Sequence, residues 1–101
     1  MTFIRYTNEE LNEILVRSNI DLDTGIKECK EYMALHGWTI RRWMSVDKGV
    51  GILVYHNNVL KKENINGFEV RIMKDDKIIG ALMDNERDAL LVCVIQAIRD
   101  A

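Results

Sequence analysis

Proline is absent from all 101 residues, so no helix or strand is interrupted by a ring that cannot donate a backbone hydrogen bond. Cysteine occurs twice and histidine twice, with none of the paired spacing that zinc sites use, so no metal site is expected. Cys29 and Cys93 fall on apolar helix faces and read as buried, reduced thiols, with a disulfide as the alternative. Neither sign of charge dominates. Fourteen basic and sixteen acidic side chains leave a net charge of −2, which argues against a general nucleic-acid binder. No apolar run reaches the roughly 18 to 20 residues that span a bilayer, and the opening MTFIRYTNEE lacks the apolar centre of a signal peptide. Low-complexity linkers and internal repeats are missing too. The expectation is a single cytoplasmic domain over residues 1–101, outside the membrane.

The catalytic signatures are equally scarce. There is no phosphate-binding glycine loop, no Gly-x-Ser-x-Gly and no His-Glu-x-x-His. The run from Asn19 to Gly25 starts like a calcium loop, but its sixth position is Thr24 and its twelfth is Lys30, where calcium needs glycine and glutamate. A helix cap is the better reading. No cofactor is expected, and an enzyme would need a dispersed site in which His56 is the best general base.

What the sequence does have is a strongly apolar terminal stretch, DNERDALLVCVIQAIRDA from Asp84 to Ala101, in which Gln96 is the only polar residue between Ala89 and Ile98. Leu91, Val94, Ile95 and Ile98 form one helical stripe, with Leu90, Cys93 and Ala97 beside it. Such a helix must be covered all round, by the sheet and by another helix or a second copy of the chain. It is therefore the argument for a homo-oligomer. Asp84 or Asn85 can cap its start.

Upstream, Met1 to Tyr6 reads as an extended arm. Thr7-x-x-Glu10 is a capping box that opens a helix ending near Ser18-Asn19. A second helix runs from about Asp21 to His36, closed by Gly37. From Trp38 the period changes to two, with strands over Trp38–Met44 and Val50–His56 divided by a turn at Asp47-Lys48-Gly49. Asn57 to Gly67 reads as a loop, and strands at Phe68–Ile72 and Ile78–Met83 flank a tight turn over Lys74–Lys77. The expected fold is α+β in the order α-α-β-β-β-β-α, a four-stranded antiparallel sheet with helices on both faces.

One constellation carries binding chemistry. Arg41, Arg42, Trp43, Tyr55, His56 and Arg71 lie on three successive strands. Arginine forks suit phosphate or carboxylate, and aromatic rings stack on planar bases. Strand alternation puts Arg41 and Trp43 on one face, with Tyr55 beside them, and Arg42 on the core face with Trp38, Ile40 and Met44. The plainer alternative is that the tryptophans are core and the arginines solvated.

Phe68-Glu69-Val70-Arg71, a short hairpin, Ala81, then Asp84-Asn85 and a helix carrying Ala89-Leu90-x-x-Cys93 resemble a small phage and prophage family, the phage ABA-sandwich domain. The helix from Asp23 to Gly37 followed by Trp38 is similar to the middle of that family. The chain lacks the proline often found early in the family's terminal helix, and its N-terminus departs from the pattern. The resemblance brings no catalytic motif. It implies a phage setting and the host-cell cytoplasm. By analogy it points to anti-defence sponges, such as the Thoeris anti-defence proteins, which sequester nucleotide immune signals without consuming them. The expected partner is accordingly a small anionic, nucleotide-like ligand; the alternative is a host defence protein that this chain binds and blocks.

Overall fold

The computed structural model describes residues 2–56 and 58–100. Met1, Asn57 and Ala101, which bound the expected arm, loop and terminal helix, lie outside the described residues. The elements are β1 (Phe3–Arg5), α1 (Asn8–Arg17), α2 (Ile26–Leu35), β2 (Thr39–His56), β3 (Val59–Lys74), β4 (Lys77–Met83) and α3 (Glu86–Arg99). The class is α+β, as expected, but the order is β-α-α-β-β-β-α.

The helices begin where local chemistry places them. Thr7 accepts from the Glu10 amide at 3.1 Å while Glu10 accepts from the Thr7 amide at 3.1 Å, so two otherwise orphaned donors are satisfied reciprocally. Asn85 caps α3 through the Asp88 amide at 2.9 Å. The first turn of α2 starts later than expected, at Ile26, because Asp21 turns back onto the Asp23 amide at 2.9 Å. The loop before α2 is pinned by Arg87, which donates to the carbonyls of Leu22 and Thr24. Gly37 closes α2 at φ 81°, where a side chain would be strained.

The sheet departs from expectation in three ways. First, β2 and β3 are one long hairpin: the residues read as the turn Asp47-Lys48-Gly49 lie inside β2, and most of the expected loop lies inside β3. The register slips between Val46 and Gly49 and again between Gly49 and Ile52, and Gly51 sits at φ 65°. The glycine signal therefore marks a bend with bulges, and the chain reverses only between the paired residues His56 and Val59. Second, the arm is a strand. Phe3–Arg5 runs parallel to β2, with Ile4 opposite Tyr55, and parallel to β4, with Ile4 opposite Ala81. The sheet is mixed, and it closes into a barrel in the order β1-β2-β3-β4. Third, all three helices put their buried residues into one core, where Leu11, Leu15, Met33 and the α3 side chains meet Val70, Ile72, Ala81 and Met83. The other face of the sheet is filled where Val54 and Ile65 of the folded-back hairpin meet Phe3 of β1 and Leu82 of β4. A helix on that second face is not needed.

Two consequences follow for strands and interfaces. The far half of β2 is a barrel wall with Val54 inside and Leu53 and Tyr55 facing out. The terminal helix is buried from Asp88 to Ile95 and again at Ala97, packed by α2, β3 and β4 of its own chain. Its apolar surface therefore gives no argument for a second copy.

Both cysteines are free and buried. Burial pushes the Cys29 thiol up to about 11, against a smaller opposing pull from Arg87, and pushes Cys93 up as well. Cys93 also donates to the Val70 carbonyl at 3.6 Å. Neither thiol is a thiolate near neutral pH. A disulfide reagent at pH 8 should modify both only at the rate of unfolding; fast native-state labelling would contradict this packing.

Candidate ligand-binding cleft

The six residues picked from the sequence separate into three places. A bulge decides the first two. Ile40 pairs with Ile72 and Arg42 with Arg71, so Arg41 is the extra residue and the alternation inverts behind it. Trp43 joins Ile40 on the helix side, contrary to the expected facing. It is half-buried under the Lys30 ammonium, 4.1 Å from its ring, and edge-on to Phe68 at 6.2 Å. Arg41 is exposed and does not accompany it. Arg42 and Met44 turn to the opposite face, where they meet Arg71 and Glu69.

That second group is an ion-pair cluster. The buried Glu69 carboxylate lies 2.9 Å from Arg42 Nε and 3.1 Å from Arg71 Nη2. Arg42 Nε directs its hydrogen to Met44 Sδ at 3.1 Å, so Glu69 Oε2 has a cation beside it but no hydrogen bond. The Arg71 guanidinium covers the Phe3 ring at 5.3 Å, and its Nε has no other acceptor. The cluster seals one side of the barrel. Arg41, Arg42 and Arg71 line neither of the two cavities described below.

The third place is a cleft. Tyr55 sits at the far end of β2 and lines a cavity of about 330 Å³ with Ile4, Tyr6, Asn58, Gln96 and Arg99. A second cavity of about 390 Å³ shares Tyr6, Asn58 and Arg99 and adds Glu10, Glu13, Ile14 and Arg17. His56 stands at its edge, with Nε2 3.8 Å from Glu10 Oε1. The fold assembles this corner because α1 and α3 both end there: Arg17 and Arg99 are the last residues of their helices, where the helix dipole favours cations. Arg99 Nη1 is 3.5 Å from the Tyr6 hydroxyl. The Glu10 carboxyl is held below its ordinary value, chiefly by the Thr7 backbone amide. Among the described residues neither Arg17 nor Glu13 forms an ion pair.

Of the residues picked from the sequence, Tyr55 lines the cleft and His56 lies beside Glu10 of its wall; Tyr6, Arg17, Asn58, Gln96 and Arg99, which also line it, were not picked. Gln96 was the accessible clue: a lone amide in an otherwise apolar helix is costly unless it reaches water or a partner. It is half-buried and opens onto the cleft. The cleft brings together two phenol rings that can stack, guanidinium donors that suit an oxyanion, and an amide that both donates and accepts.

Neither a protein-family model, a curated protein nor a solved structure matches this chain.

Proposed function

We propose that this protein is a non-enzymatic binder that holds a small anionic, nucleotide-like ligand in the cleft between β1, the β2–β3 reversal, α1 and α3. The observation that carries the reading is the convergence of Tyr6, Tyr55, Gln96 and Arg99 on one open cavity. A planar base stacks against the phenol rings, Gln96 meets its edge, and Arg99 takes the phosphate. Set beside the resemblance to the phage ABA-sandwich domain, this makes the chain an anti-defence sponge in the host cytoplasm, returning its ligand unchanged on denaturation. Titration calorimetry with a panel of linear and cyclic nucleotides tests it. Arg99→Ala removes a charge-assisted contact from an exposed residue and should weaken binding by about 1.5 to 3 kcal/mol, or roughly ten- to a hundredfold, with the fold intact. Equal affinity of variant and wild type would remove the cleft from consideration.

A second reading rests on the outer wall of the hairpin, which shares Tyr55 with the cleft. Leu53, Tyr55 and Leu60 are exposed on the outer wall of the hairpin, with Tyr55 directly opposite Leu60. Such an apolar strip suits a blocked host protein. If the wild type holds no nucleotide and Leu60→Asp abolishes capture of a host protein, the inhibitor reading takes precedence.

A further inference from the structure

Resting on the second reading above, we infer that the outer edge of β3 over residues 59–65 takes up an extended strand of another protein. That strand carries two adjacent carboxylates beside apolar residues.

The barrel closes through only the near half of its long hairpin. β3 pairs with β4 over residues 68–74, while β1 pairs with β2 and β4. Over residues 59–65 β3 is paired with β2, and among the described residues no strand runs along its other side. A strand so placed turns alternate amides and carbonyls outward, a template for one more strand. Solvent reaches this edge: Val59 and Leu60 are 55% and 51% exposed, and Lys61, Lys62 and Asn64 are exposed as well. Tyr55 stands directly opposite Leu60, so an added apolar residue beside Leu60 extends that outer row.

Charge selects the occupant. Lys61 and Lys62 form no ion pair among the described residues. A two-fold antiparallel pairing of two copies, centred on Lys61, Lys62 or Glu63, sets that residue opposite itself, and like charges directly opposed repel. The lysines therefore turn away a second copy of this chain, a common guard on exposed edges. The same two ammonium groups suit a strand with a carboxylate opposite each. Antiparallel addition gives the more stable ladder. The complementary segment then reads, in its own direction, a cation opposite Glu63, carboxylates opposite Lys62 and Lys61, and apolar residues opposite Leu60 and Val59.

The test is fluorescence anisotropy of the full chain with synthetic peptides capped at both ends. Val-Thr-Lys-Glu-Glu-Val-Val carries the complementary pattern, and Val-Thr-Glu-Lys-Lys-Val-Val reverses its charges. The first should bind about tenfold more tightly than the second. N-methylation of its edge-facing amides, which keeps every side chain, should abolish binding. Lys61→Glu combined with Lys62→Glu, at two exposed positions, should invert the preference with the fold intact. Amide hydrogen exchange should slow within residues 59–65 when the complementary peptide is bound. No binding of that peptide, equal affinity for the two, or protection confined to another segment overturns the inference. The second reading would then still stand on its own Leu60→Asp test, and the cleft reading is untouched by any of these results.

Discussion

Val94→Asp is expected to leave the chain largely unfolded. Val94 is 6% exposed in the middle of α3, in a run of buried residues from Asp88 to Ile95 that faces α2, β3 and β4. A carboxylate placed there would sit in the hydrophobic core cluster that the helices share with β3 and β4. Burying an unpaired charge costs several kcal/mol, on the order of 5 here. That is as large as the whole stability of many domains of this size. The far-ultraviolet helical signal and the cooperative thermal transition should both be lost. Ile98→Asp is the control. Ile98 is on the same helix but 40% exposed, so its replacement should change stability by no more than about 0.5 kcal/mol. The pair also separates folding from assembly. An α3-mediated oligomer would dissociate with Ile98→Asp while keeping its fold, whereas a chain that buries α3 by itself shows the same sedimentation in wild type and variant. A natively folded Val94→Asp protein would mean that α3 is not the core of the molecule.

The elements legible in the sequence are those that short-range chemistry specifies. Thr7 and Glu10 cap α1 whatever lies elsewhere, Gly37 supplies a left-handed residue after α2, and Asp75 at φ 53° makes the reversal between the paired residues Lys74 and Lys77. The apolar girth of α3 announced a buried helix, though not that the same chain supplies the whole cover. What escaped notice depends on distant partners. Three residues, Phe3 to Arg5, are too few to show a period, and they become a strand only because β2 and β4 offer edges on either side. The polar run Lys61-Lys62-Glu63-Asn64 has no apolar alternation because that part of β3 forms the outer arm of the hairpin, where each of these four residues is exposed or half-buried. Asp47-Lys48-Gly49 has the composition of a turn, yet the cross-strand partners on both sides keep the hairpin going through it.

The candidate site was hidden for two separate reasons. Alternation counted from Trp38 fails at Arg41, because one bulged residue moves every later side chain to the other face; it exchanged the expected positions of Arg42 and Trp43. The cleft, in turn, joins Tyr6 to Arg99 across 93 positions and draws on two helix ends, a strand end and a hairpin reversal. No spacing rule connects such residues. Only Gln96 stood out by itself, as the one amide in the otherwise apolar run from Ala89 to Ile98.

The arginines that looked most like a binding site carry instead the second large expected effect. Glu69→Ala should destabilise the protein by about 1 to 3 kcal/mol, because it leaves two partly exposed arginines without their shared anion. Arg42 and Arg71 are directly opposed on neighbouring strands, and like charges in that register repel. The Glu69 carboxylate, 2.9 Å from one and 3.1 Å from the other, is what makes the arrangement tolerable. Without it Arg71 is left over the Phe3 ring with a positive charge and no anion. Arg42→Ala should cost less, because its side chain is half exposed and Arg71 still neutralises Glu69. Replacing the three together, by Arg42→Met, Glu69→Leu and Arg71→Met, should recover most of the lost stability, since a well-packed apolar trio avoids the desolvation of three charges. Urea denaturation of the three proteins checks the ranking. A loss below about 1 kcal/mol for Glu69→Ala would mean that solvent reaches the carboxylate and that the cluster is a surface network, reopening these arginines as ligand contacts.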